Sequence, residues 1–368
     1  MWQGILGHDE IVDHFRDTLM RERLASSYLF VGPEGVGKRT FALKLAEALL
    51  CQSYTQREAV AEGVAESKEG SQEFSNQKVS LEPCGRCESC RLALAGNHPD
   101  LIEISRPTGK QSLPIELFIG DRAHRNQVGM CHQIAMRPML GQRRVAIIDD
   151  ADYLWQESAN CLLKTLEEPP PGTLLILIGT SRSRQLPTIL SRIQIIRFSP
   201  LSVENLSQVL QQQQIAPQQV ACLAASCDGS LTVAMQYAQG QLAELREQLL
   251  PQLTSDRFCS VRLAHELGQY VNEAGKEAQF RRQRLQGVIR LVMSHFRGQL
   301  RASCTADSDT KRLEGEGGKG HDGSRSAQER ALAILQWCIE ADQQVERNAN
   351  QATLLANWLN NLATELNG

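Results

Sequence analysis

The chain has 368 residues, with 39 Lys and Arg against 42 Asp and Glu and a formal net charge of −3 at pH 7. That length suits about two or three domains with a sizeable core, and the near-neutral balance excludes the global basic signature of a dedicated nucleic-acid binder. No apolar run approaches the ~20 residues that span a bilayer, Met1-Trp2-Gln3-Gly4 leads into a polar amphipathic stretch rather than a signal peptide, and eleven cysteines without an export signal read as free thiols or metal ligands. The expectation is a soluble cytoplasmic protein.

Residues 8–25 read as an amphipathic helix with Ile11, Val12, Phe15 and Leu19 on one face. Residues 27–31 are short, apolar and β-prone, a buried strand. Residues 41–50 return to helical spacing. Residues 52–83 are polar and rich in Glu, Ser and Gln, and are expected to form a disordered insertion. Residues 101–104 and 144–148 predict two further strands, the second ending in Asp149 and Asp150. Residues 158–167 predict a helix stopped by Pro169-Pro170-Pro171. Residues 174–178 and 193–198 complete the strands. Strands alternating with helices mean an α/β fold with a parallel sheet. After Pro200 the pattern is helical throughout. Leu285, Val288, Ile289, Val292, Met293 and Phe296 form one stripe, and Leu354, Leu355, Trp358, Leu359 and Leu362 another. Residues 303–326, which include Gly-Glu-Gly-Gly-Lys-Gly, read as a second disordered insertion.

Residues 32–40, Gly-Pro-Glu-Gly-Val-Gly-Lys-Arg-Thr, fit G-x-x-x-x-G-K and then depart from the phosphate-loop pattern. Gly32, Gly35, Gly37 and Lys38 stand where the pattern needs them. The next position, normally a Ser or Thr that ligates Mg²⁺, is Arg39, and Thr40 brings its hydroxyl one residue late. A strand, a glycine turn and a helix N-terminus aim backbone N–H groups at an anion. The alternative is a tight turn that binds nothing. Asp149 and Asp150 stand where such enzymes hold the metal and polarise the attacking water, with Asp150 one methylene shorter than the usual Glu. Thr180, at the end of the next strand, is a candidate γ-phosphate sensor or ordinary turn chemistry. Arg192 is a candidate arginine finger or a surface Arg favoured by a helix C-terminus. Arg281, Arg282 and Arg284 form a short basic run, read first as a solvated helix face.

Cys84, Cys87 and Cys90 are spaced C-x₂-C-x₂-C beside Gly85, a metal-ligand pattern rather than core packing. A structural zinc site needs a fourth ligand. Cys51, at the C-terminal end of the helix after the phosphate loop, is the best candidate and His98 the runner-up, and the insertion between Cys51 and Cys84 adds little closure entropy. An iron–sulfur cluster is the chemical alternative, disfavoured because no Cys-Pro follows closely behind Cys90.

The segment Leu162-Leu163-Lys164-Thr165-Leu166-Glu167-Glu168-Pro169-Pro170, with the phosphate loop, the Asp149-Asp150 strand, Ser191-Arg192 and the cysteines, resembles the AAA+ clamp loader subunits of bacterial DNA polymerase III. The resemblance covers the chain apart from the two insertions. It implies an AAA+ parallel-sheet domain over 1–200 with a zinc module at 51–99. A helical lid at 201–250 and a helical collar at 251–368 follow. Two branches share the motifs, the gamma/tau motors and the delta-prime stator. Arg39, Asp150 and Thr232, where the motors carry an Arg, set this chain beside the stator branch. That branch implies no ATP hydrolysis in the chain itself, though ATP or ADP could still bind, and Arg192 acting in trans on a neighbouring motor. The implied partners are gamma/tau and delta subunits in a pentameric ring, the sliding clamp, and primed DNA through the complex. A gamma/tau-type motor is the alternative. A zinc-dependent nucleic-acid-binding module fits less well, because basic balance and stacking aromatics are lacking.

Overall fold

The computed structural model describes residues 2–53, 81–107, 109–110, 112–125, 127–238, 241–253, 259–275, 277–313, 322–347 and 349–367. The chain divides into two compact units, residues 1–205 and 206–368. The first holds α1 (Asp9–Met20), β1 (Ser27–Val31), α2 (Lys38–Leu50), α3 (Glu88–Leu94), β2 (Leu101–Ile104), α4 (Glu116–Ile119), α5 (Met130–Ala135), β3 (Arg144–Ile148), α6 (Gln156–Glu167), β4 (Thr173–Gly179), α7 (Pro187–Leu190) and β5 (Gln194–Arg197). Helix α8 (Val203–Gln212) contains the boundary. The second unit continues with α9 (Pro217–Ser226), α10 (Leu231–Ala238), α11 (Gln241–Leu253), α12 (Ser260–Asn272), α13 (Ala278–Leu313), α14 (Asp322–Glu346) and α15 (Gln351–Asn367).

The five strands form one sheet in the order β2-β3-β4-β1-β5, every neighbouring pair parallel. Strands covered by helices on both faces read as continuous apolar runs, and every residue of β1, β3 and β4 is buried. Alternation assigns each residue to a face. Tyr28, Phe30, Val145, Ile147, Ile176 and Ile178 join the core built with α1 and α2. Leu29, Val31, Ala146, Ile148, Leu175 and Leu177 join the core on the other face, with α5 and α6. An aromatic group anchors the first face: Phe15, Phe30 and Phe198 surround Phe41 with ring centroids 5.3–5.9 Å away. Edge-to-face rings at this spacing contribute ~0.5–1.5 kcal/mol per pair beyond their burial.

Most of the polar insertion expected at 52–83 lies outside the described residues. Its exit is tightly held: Leu81 is fully buried, and its carbonyl accepts hydrogen bonds from Trp2 Nε1 (3.1 Å) and Gln3 Nε2 (2.9 Å). The second expected insertion, 303–326, is corrected in part. Backbone 303–313 continues α13 and 322–326 opens α14, with 314–321 outside the described residues. Residues 303–313 contain no Gly or Pro to break the helix. In the second unit α13 packs on α14, α14 on α15 and α15 on α12. The stripe read from α13 is buried as expected except at Met293, which is half-buried, while Leu291 is buried beside it. Among the described residues no helix is long and apolar enough to cross a membrane.

One buried ion pair ties the sheet to its crossover. Asp100 (0 % exposed) accepts from Arg144 Nη2 at 3.0 Å and from the Met139 and Leu140 amides at 2.8 Å each. Arg144 also donates to the carbonyls of Gln133 and Arg137. Breaking one side of such a pair leaves a buried charge unmatched. Asp100→Ala is expected to lower unfolding free energy by about 3–5 kcal/mol, read as a shift in the urea midpoint.

Candidate functional site

Register brings the predicted residues to one edge of the sheet. Val31 pairs with Gly179 and Ile148 with Leu177, so the loop after β1, the acids after β3 and Thr180 after β4 sit side by side at the strand C-termini. This is where open α/β sheets place ligands. Two glycines make the loop possible. A Cβ on Gly32 would stand 2.3 Å from the Phe198 carbonyl oxygen. Gly37 takes φ +97° just before α2, a left-handed conformation in which side chains are strained.

Lys38 is only 7 % exposed, and its Nζ donates to the carbonyls of Gly32 and Pro33 at 2.6 Å each. Burial lowers its pKa, against the opposing pull of Asp152, Asp149 and Glu34. His8 supports the loop from α1's N-terminus: its Nε2 lies 2.7 Å from the Val36 carbonyl oxygen, so Nε2 carries the proton and donates. Burial lowers the His8 pKa, which keeps the ring neutral.

Arg39 projects onto the acids. Its Nη2 donates to Glu103 Oε2 at 3.0 Å, and its Nε lies 3.6 Å from Asp149 Oδ2. Burial raises the Asp149 pKa, opposed first by the Asp150 amide, which donates to Asp149 Oδ1 at 3.0 Å, and then by Arg39 and Lys38; the Asp150 charge adds to the rise. Thr40 is exposed, one residue further and so ~100° around the helix from position 39. Asp150 takes a left-handed conformation (φ 57°) that ends the strand, which Asp tolerates better than most residues. Its carboxylate lies 3.6 Å from Arg106, whose guanidinium rests 3.9 Å over the Tyr153 ring. Thr180 is tied down: its amide and hydroxyl both donate to Asp152 Oδ2, at 2.7 and 2.6 Å, while Gln185 Nε2 donates to Oδ1 at 2.6 Å. Sequence reading missed Asp152; the only signal was its place two residues beyond the acid pair.

Arg192 lies at the other end of the sheet. Its carbonyl accepts from Ser27 Oγ at 3.0 Å, and Ser27 is the first residue of β1. The five-residue strand separates it from the loop by about 13 Å at ~3.3 Å per residue. Glu167, at the end of α6, holds the guanidinium by two contacts, 2.9 and 2.7 Å, and Nη1 donates to the Thr188 carbonyl and Ser191 Oγ. Sequence reading noted the segment carrying Glu167 but not this role.

The sequence-predicted thiols converge. Sγ atoms of Cys51, Cys84, Cys87 and Cys90 all lie within 4.8 Å of one another, with Cys84 and Cys90 4.0 Å apart. Local backbone shapes this cluster: the amides of Cys84, Cys87 and Cys90 donate to the sulfurs of Cys51, Cys84 and Cys87 at 3.3–3.4 Å. The Arg86 amide, then the Ser53 hydroxyl, pulls the Cys84 thiol down to about 5, whereas burial pushes Cys90 up. Four sulfurs this close are a possible metal site of Cys₄ type. His98, the other ligand candidate, is engaged elsewhere. Its Nδ1 accepts from the Asp100 amide at 3.0 Å, and its Nε2 lies 2.5 Å from Ser89 Oγ, which donates to the Leu50 carbonyl. This relay fastens α3 to the end of α2. In the second unit Arg284 of the basic run is structural: it stacks 4.6 Å over Tyr270 and donates to that residue's carbonyl at 2.7 Å.

A parallel sheet of order β2-β3-β4-β1-β5, with a phosphate loop after β1 and paired acids after β3, defines a nucleotide-binding fold of AAA+ type. The chain belongs to the family described as DNA polymerase III, delta subunit, whose profile matches residues 7–73 and 67–202. It is 33 % identical over 172 residues to DNA polymerase III subunit delta' of Pseudomonas aeruginosa, covering 47 % of this chain and 42 % of that protein. It is 28 % identical over 235 residues to delta' of Bacillus subtilis (64 % and 60 %), and 28 % identical over 261 residues to subunit tau of Escherichia coli (68 % and 34 %). The chain thus spans less than two thirds of the length of each of these relatives. A DNA polymerase III gamma subunit-related protein of Thermotoga maritima aligns with a TM-score of 0.39 at 17 % identity, over 95 % of this chain and 98 % of that one.

Asp152 accepts from three donors, the Thr180 amide and hydroxyl and the Gln185 side chain. Asp152→Ala is expected to cost about 1–3 kcal/mol in chemical denaturation and to speed hydrogen exchange at the Thr180 amide.

Proposed function

We propose that the chain is the delta-prime stator of a DNA polymerase III clamp loader, helping load the sliding clamp on primed DNA while hydrolysing no ATP itself. The observation that carries this is the position of Arg192: it sits a full strand length from the chain's own phosphate loop, fixed by Glu167 and the Ser27 hydroxyl. An arginine so placed is out of reach of the chain's own loop, which supports its acting in trans as an arginine finger on a nucleotide presented by another subunit. Family membership and the delta' relatives support the same reading.

The loop supports it from the other side. Lys38, Asp150 and Thr180, groups that Mg²⁺-dependent hydrolysis needs turned toward the nucleotide, each have a partner within the chain, and Arg39, itself paired with Glu103, stands in place of the metal-binding hydroxyl. The motor alternative, favoured by the tau relatives, needs Thr40 to replace the missing hydroxyl. Thr40's position around α2 speaks against that. In this proposal residues 201–250 form a lid, 251–368 form the collar of a pentameric ring with gamma/tau and delta subunits, and the chain works in the cytoplasm.

The Cys₄ cluster suits zinc. A tetrahedral site with Zn–S of ~2.3 Å has sulfurs about 3.8 Å apart, near the 4.0 Å between Cys84 and Cys90. Cys51, Cys84, Cys87 and Cys90 would hold the ion, which would contribute folding energy and no chemistry.

Two measurements test the proposal. Arg192→Ala is expected to lower the ATPase rate of a reconstituted loader by at least tenfold with assembly intact, since in-trans arginines contribute ~10³–10⁵ where measured; an unchanged rate removes the finger role, and steady turnover by the isolated chain removes the stator. Metal analysis of the purified chain is expected to give about one Zn per chain, lost with a lowered Tm in Cys87→Ser. Iron with visible absorbance would contradict the zinc assignment.

A further inference from the structure

A magnesium ion at Asp149, which this fold family implies, does not fit the residues around it. Mg²⁺ demands near-octahedral oxygen donors at ~2.0–2.1 Å. Position 39 offers a guanidinium instead of a hydroxyl, and that guanidinium already faces both nearby acids, Glu103 at 3.0 Å and Asp149 at 3.6 Å. A dication placed there would compete with the Arg39 guanidinium for the same carboxylates.

We infer that Arg39 is a built-in counter-cation and that the cradle at residues 32–38 binds a nucleoside diphosphate without metal. The inference rests on reading that loop as a phosphate cradle in a subunit that does not hydrolyse. The remaining parts agree. Gly37 leaves the α2 N-terminus open toward an anion, and Lys38 stands beside it, its Nζ on two loop carbonyls that a phosphate oxygen would displace. The Arg39 side chain is 55 % exposed, free to swing its planar fork from Glu103 onto a phosphate. A surface ion pair of this kind is weaker than a charge-assisted bond to phosphate. The ligand is a diphosphate rather than a triphosphate because groups that would meet a third phosphate are committed. Both Thr180 donors go to Asp152, and Asp150 faces Arg106. Two cations, Lys38 and Arg39, match the charge of the last phosphate of a diphosphate.

The test is calorimetric titration of the full chain with ADP, once in EDTA and once in excess Mg²⁺, for the wild type and for Arg39→Thr. Wild-type affinity is expected to stay within about twofold between the two conditions. Arg39→Thr, at an exposed position that leaves the fold intact by circular dichroism, is expected to lose about tenfold in EDTA and to recover with Mg²⁺. Electron paramagnetic resonance of Mn²⁺ added with ADP should detect bound metal in the variant only. Wild-type affinity that tightens tenfold or more with Mg²⁺, or Mn²⁺ bound at the wild-type site, would overturn the inference. Absence of ADP binding in both conditions overturns it too, and with it the phosphate cradle. The trans role of Arg192 would survive that result, because it is read from a partner's ATPase.

Discussion

The parallel pairing of β1 between β4 and β5 is the constraint on which the rest of the nucleotide unit depends. Those five residues are buried on both faces, so their direction and register are set by packing rather than by what lies at either end. One end opens into the glycine loop and α2. The other carries Ser27, whose hydroxyl fixes the Arg192 carbonyl. A single strand therefore separates the glycine loop from Arg192. Lengthening or shifting β1 would move both sites together.

Charge around the loop is balanced inside the chain. Lys38 answers two carbonyls, Arg39 answers Glu103 and Asp149, Arg106 answers Asp150, and Asp152 gathers Thr180 and Gln185. Active nucleotide hydrolysis needs such groups uncommitted, or recommitted at small cost, when substrate arrives. Here the cationic arm at position 39 lowers the cost of keeping Asp149 half-buried without metal. Burial still pushes that carboxyl above its usual range, which shows that the guanidinium offsets only part of the penalty. The Cys cluster follows the opposite logic. Its thiols are drawn together by backbone amides yet cannot all ionise without an added cation.

Local patterns carried far in this chain. The five strands, the Lys38 helix, the Pro-terminated α6 and the C-terminal stripes could be read because period-2 and period-3.6 burial leaves a direct trace in apolar spacing. The C-x₂-C-x₂-C run named three of the four sulfurs. The choice between Cys51 and His98 for the fourth could be ranked but not settled there, because it turns on which side chain reaches the cluster. Ser89 and the Asp100 amide, both close in sequence, hold the His98 ring away. Asp152 and Glu167 were invisible as functional residues, being acids on amphipathic turns where acids are ordinary. The expected insertion at 303–326 was drawn too wide, since α13 runs to Leu313 and α14 begins at Asp322.

The amino-acid sequence alone determined the fold class, the position and defect of the phosphate loop, and the thiols available to a metal. Each of these follows from residue type and spacing along a few consecutive turns. Only the tertiary structure decided where the charges go: that Arg39 faces Asp149 and Glu103, that Asp152 captures Thr180, and that Arg192 is braced by Glu167 at the far end of β1. Electrostatic partners are chosen by distance in space, and segments brought together from 25 or more residues apart leave no mark of that distance in the sequence.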